Sequence, residues 1–147
     1  MVSIIPAYVY TLFAALVVGV LIVSSCSYAT LNVRNEAEKQ QLSNINEYVA
    51  TQSLMLITDA AQGNQNVTQF LNLPSQVANQ VYWVCISNNS GGIGVTSGFG
   101  STVCLSQSGV AIPAKADASG VFVSTFGRPC LECFYVNQTT SLTLTSD

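Results

Sequence analysis

Between Val2 and Ala29 the chain carries no Asp, Glu, Lys or Arg, and the first charged side chain is Arg34. A helix needs about 20 apolar residues to cross a bilayer, so this run is long enough for one crossing. Three fates fit it: a cleaved export signal, a membrane anchor, or the buried core of a polymer. Pro6 falls in the first turns of such a helix, where a missing N–H costs least. Ala15 and Gly19 are small residues four apart, a spacing that lets two helices approach closely.

The flanks bear on the signal reading. No Lys or Arg precedes the run, so a standard secretory n-region is missing. Ser27-Tyr28-Ala29 is a poor cleavage site of the ordinary kind. Val23-Ser24-Ser25-Cys26 has the form of a bacterial lipoprotein cleavage box, which would make Cys26 a lipidated N-terminus.

The helical pattern continues past Ala29. No Pro or Gly occurs between Val20 and Gly63. Leu42, Ile45, Val49 and Leu56 recur in steps of three and four, with one turn skipped at Gln52-Ser53, which is the stripe of an amphipathic helix. Tyr48 and Met55 lie beside that stripe. Arg34, Glu36, Glu38, Lys39, Glu47 and Asp59 read as a solvated face. Gly63-Asn64 is a stop signal. The spacing predicts one helix over 1–63, on the order of 90 Å long at 1.5 Å per residue.

A second texture occupies 64–147. Short runs rich in β-branched and aromatic residues alternate with Gly, Ser, Asn and Pro. Phe70–Pro74 reads as an edge strand and Gln80–Ser87 as the clearest strand. Gly92–Thr96, Thr102–Ser106, Val110–Pro113, Val121–Phe126, Glu132–Val136 and Ser141–Thr145 follow. Asn89-Ser90-Gly91-Gly92, Ser108-Gly109 and Ser119-Gly120 are the turn signals between them. The expected fold is α+β: a long N-terminal helix, then an antiparallel β-sandwich-like head. So small a sheet has a thin core and gains from cross-links.

Cysteine usage and sequons point outward. Cys26 lies in the apolar run, where a thiol packs as a small hydrophobe. Cys85, Cys104, Cys130 and Cys133 are expected to form disulfides in an oxidising compartment, with all three pairings open. Cys130-Leu131-Glu132-Cys133 also has the C-x-x-C form of a redox pair, and the four together admit a zinc site lacking its second knuckle. Asn66, Asn88 and Asn137 each open an N-x-S/T sequon.

The same composition narrows the chemistry. There is no histidine among the 147 residues, which removes Ser-His-Asp and Cys-His catalysis. Glu132 and Asp117 are scattered, and nothing pairs them. Net charge is −3 and only 7% of residues are charged, against roughly 25% in ordinary domains. A nucleic-acid partner needs a basic patch that this chain does not have. Tyr82 and Trp83 read as core residues before they read as a sugar or partner site. No catalytic role and no cofactor is expected.

An uncharged helix running unbroken into an amphipathic half, then a compact β head with cysteines and sequons, resembles the type IV pilin superfamily. Ile4-Ile5-Pro6-Ala7, Thr11-Leu12 and the 17–22 stretch are similar to the opening of archaeal adhesion pilins and archaellins. The family's short basic leader is not seen ahead of the helix, and Ile5 stands where bacterial pilins carry an acidic residue. The leader's absence leads to the expectation that numbering starts after processing or that processing differs. The resemblance implies an extracellular helical homopolymer, more an adhesion pilus than a rotating filament. Its precursor waits in the membrane, and its partners are an assembly ATPase, a platform protein and a bound surface or host. It also implies that Ile4, Ile5, Pro6, Tyr8, Leu12, Phe13, Ala15, Leu16, Gly19, Val20, Ile22 and Val23 pack in the filament core. Leu42, Ile45, Val49 and Leu56 would then pack against the head. A membrane-anchored or lipidated monomer, and a secreted redox or zinc module, remain as competing readings.

Overall fold

The computed structural model describes residues 4–63, 65–89, 92–100, 104, 109–136 and 139–147. The chain divides into two compact units, Met1–Ala37 and Glu38–Asp147. One helix, α1 (Ile4–Gly63), runs through both. Pro6 lies in its first turn, where the proline removes no helical hydrogen bond. The boundary between units falls inside the helix, not at its end, because residues 38–63 belong to the core of the head.

In the second unit, β1 (Val67–Phe70), β2 (Tyr82–Asn89), β3 (Gly92–Phe99), β4 (Val110–Ile112), β5 (Asp117–Val123), β6 (Pro129–Val136) and β7 (Thr139–Ser146) form one sheet. The strand order is β1-β6-β7-β5-β2-β3-β4. Every neighbouring pair is antiparallel except β5 with β7, which is parallel. The expected α+β order, a long helix and then a sheet head, is what the structure has; the head is a single sheet whose second layer is the helix, not two stacked sheets. Ile45, Val49, Ala50, Leu56, Ile57 and Ala60 of α1 pack with Tyr82, Val84 and Ile86 of β2, Leu131 of β6 and Leu142 and Leu144 of β7. A helix that already presents an apolar stripe covers one sheet face, so a two-layer core closes without more strands.

The largest departures from the sequence reading are at two strands. The first edge strand is Val67–Phe70, not 70–74, and its last sheet bond is Leu71 N–H to Pro129 O at 2.9 Å. Ser119-Gly120, read as a turn, lies inside β5, where Gly120 takes φ +137°. A Cβ there would stand 2.2 Å from the Leu144 carbonyl oxygen, so the parallel β5/β7 approach requires glycine. The strand read at 102–106 lies outside the described residues apart from Cys104, which is not in a strand.

Candidate self-association surface

From Tyr8 to Ala37 every helical side chain is exposed. Tyr8 is 74% exposed, Leu16 60% and Val17, the least exposed large one, 45%. No charge occurs before Arg34. The serine and threonine hydroxyls from Thr11 to Thr30 are turned inward on their own helix. Ser24, Ser25, Ser27 and Thr30 each donate to the carbonyl four residues earlier at 2.8–2.9 Å, and Thr11 donates to Tyr8 O at 2.9 Å. Each of these serines and threonines thus meets its hydrogen-bonding need locally, and between Val9 and Ala29 the polar groups left to a neighbour are the phenols of Tyr10 and Tyr28. Ala15, Leu16, Gly19, Val20, Val23 and Ser24 line a shallow groove of about 350 Å³. A Cβ on Gly19 would meet nothing within 4 Å, so the close-approach position stands open.

Of the residues expected to pack in a polymer core, Tyr8, Leu12, Phe13, Ala15, Leu16, Gly19, Val20, Ile22 and Val23 all fall on this exposed segment. The side chains of Ile4, Ile5 and Pro6 lie outside the described residues. The segment passes the length and hydropathy requirements for a membrane span.

The head-facing stripe is where the spacing put it. Val49 and Leu56 are fully buried or nearly so, Ile45 is buried and Leu42 half-buried. Sequence reading passed over Ser53, which is completely buried in the same stripe with its Oγ unpartnered. Its position, four residues after Val49 and three before Leu56, was the signal; its polarity hid it. Gln52 Oε1 accepts from Gln69 Nε2 at 2.6 Å and ties the helix to β1.

The cysteines divide. Cys85 of β2 and Cys104 form a disulfide with Cα atoms 5.8 Å apart. Cys130 and Cys133 are free thiols, which corrects the expectation that all four pair. Both lie on β6 three residues apart, and side chains at odd spacing leave a strand on opposite faces. Cys133 joins the core beside Leu142, while Cys130 shares the outer face with Phe70 and Thr145. Burial pushes both thiols up; Cys130 is raised further by the carboxylates of Glu132 and Asp147. Neither a C-x-x-C redox pair nor a four-cysteine metal site is assembled. Among the described residues no three His, Cys, Asp or Glu side chains converge.

Tyr82 is fully buried, donates its hydroxyl to Pro74 O at 2.6 Å, and is pushed up to about 12 by burial. Trp83 lies against the outer face over Gly98, where an added Cβ would come within 2.7 Å of its ring. Both act in packing. Asn66 and Asn88 are exposed, and Asn137 lies outside the described residues.

Compared with protein families, with curated proteins and with solved structures, the chain finds no match. The fold and its surface define an α+β protein with a sheet head and a long, uncharged, unburied helical segment.

Proposed function

We propose that this chain is the structural subunit of an extracellular helical filament of the archaeal type IV pilus kind, polymerising through residues 4–23 of α1. The observation that carries this reading is the uncharged segment from Tyr8 to Val33, in which every side chain is exposed. Water is an unfavourable solvent for such a surface. Burying on the order of 1,500 Å² of it per subunit, at about 25 cal/mol per Å², contributes tens of kcal/mol gross. Ordering and association offset much of that. Lipid shelters the same segment before assembly, so the gain over the membrane state is smaller, and an ATP-driven machine supplies the difference. A contact that joins unlike patches and does not close propagates into a helix.

The subunit role is a binding and structural one, not catalysis. A membrane-anchored monomer uses the same apolar surface but stops at lipid. Negative-stain electron microscopy of native cell-surface material separates the two. Uniform filaments containing this chain are expected; dispersed particles held only in detergent would overturn the reading.

A further inference from the structure

The exposed sequons differ in what their amides are doing. At Asn88 both ends of the side chain are committed. Its Nδ2 donates to Asp117 Oδ1 at 3.2 Å, and its Oδ1 accepts the Ala118 backbone N–H at 2.7 Å. Asn88 is the last residue but one of β2 and these partners open β5, so the amide clasps two neighbouring strands at one end of their ladder. At Asn66 only the oxygen is used: Oδ1 accepts the Tyr135 N–H at 3.2 Å. Among the described residues the Asn66 Nδ2 donates to nothing.

Asn66 also sits where an enzyme can reach it. It immediately precedes β1, which is the terminal strand of the sheet. The third sequon residue, Thr68, is exposed on that strand. An edge strand presents its outer backbone groups in extended form, the conformation another protein can pair with or grip.

We propose that Asn66 is an N-glycosylation site of the folded head, and that Asn88 is a structural clasp that stays unmodified. The reaction uses a polyprenyl-phosphate- or pyrophosphate-linked oligosaccharide. The Asn66 Nδ2 attacks the anomeric carbon and a C–N bond forms. The C–O bond to the lipid phosphate breaks, its electron pair leaves with the phosphate, and one Nδ2 proton is lost to base. Asn66 enters such a site by giving up at most one long hydrogen bond to Oδ1. Asn88 would have to surrender two bonds and undo the β2/β5 clasp. A glycan on Asn66 would also shield the open edge of β1 from pairing with other strands. The proposal requires that the head reach the glycosylating side of a membrane; it does not require polymerisation.

The test is glycopeptide mass spectrometry of the chain taken from its native cell surface, with intact mass measured for N66Q and N88Q. The expected result is glycan mass on the Asn66 peptide, an unmodified Asn88 peptide, loss of that mass in N66Q and its retention in N88Q. An occupied Asn88, or an unoccupied Asn66, overturns the proposal. Because N66Q removes only one acceptor at an exposed position, a matching circular dichroism spectrum confirms that the variant is folded when the mass is read.

Discussion

Ala78 shows what a single residue tolerates. Val77 and Gln80 exchange two backbone hydrogen bonds of 3.1 and 2.9 Å, and the two residues between them take φ +51° and +60°. That is the two-residue turn in which both central positions favour Asn or Gly. Asn79 suits its place, whereas Ala78 carries a Cβ that opposes it. Ala78→Gly is expected to raise stability by up to about 1 kcal/mol, read as a higher denaturation midpoint. Tyr82 supplies a pH signature. Its phenol titrates near 10 when the chain is unfolded and near 12 when buried. Above pH 10 the unfolded chain releases a proton that the folded one keeps. Stability is therefore intact below pH 10 and falls as pH rises toward 12, by about 2 kcal/mol. Denaturant titrations at pH 8 and 11 should show the drop, and Tyr82→Phe should flatten it while losing the bond to Pro74.

Elements hold together through a few close approaches. β5 and β7 run parallel, and the contact rests on Gly120. Gly120→Ala is expected to cost at least about 2 kcal/mol, through the positive φ and the Leu144 carbonyl together. Gly94→Ala is the control: its added Cβ meets nothing closer than 3.7 Å, and its midpoint should move little. The cross-link pattern gives a second measurement at this scale. Denatured, unreduced protein should show three reactive thiols, those of Cys26, Cys130 and Cys133. In the native protein Cys130 and Cys133 should react slowly. Burial both hides Cys130 and Cys133 and holds them in the unreactive protonated form. A count of one would mean that β6 does not place its two thiols on opposite faces.

At the scale of the whole molecule the apolar segment decides the outcome. Val20→Lys places a charge on a surface that has none for more than a turn on either side. In a membrane a single lysine costs roughly 2.5–3.5 kcal/mol at mid-span, which so apolar a run tolerates. Between packed helices, with no water and no partner charge, the cost is several kcal/mol and recurs at every subunit. The expected outcome is a membrane-inserted chain with an unchanged head and no filaments by electron microscopy. Filaments of normal length would show that the segment is not the polymer core.

Much of this architecture is legible along the chain, because it depends on neighbours a few residues apart. The unbroken stretch from Val20 to Gly63 forces one helix, and the 42–45–49–56 spacing forces the face that meets the sheet. Most strands fall where β-branched runs lie between turn residues. What folding alone decided involves partners distant in sequence. Strand order, the parallel β5/β7 pair and the Cys85–Cys104 link follow from which surfaces can close a common core, and local pattern does not encode that choice. Ser53 is buried because its helix position faces the sheet, whatever its polarity. Asn88 is engaged because β5 arrives beside it, about thirty residues later in the chain.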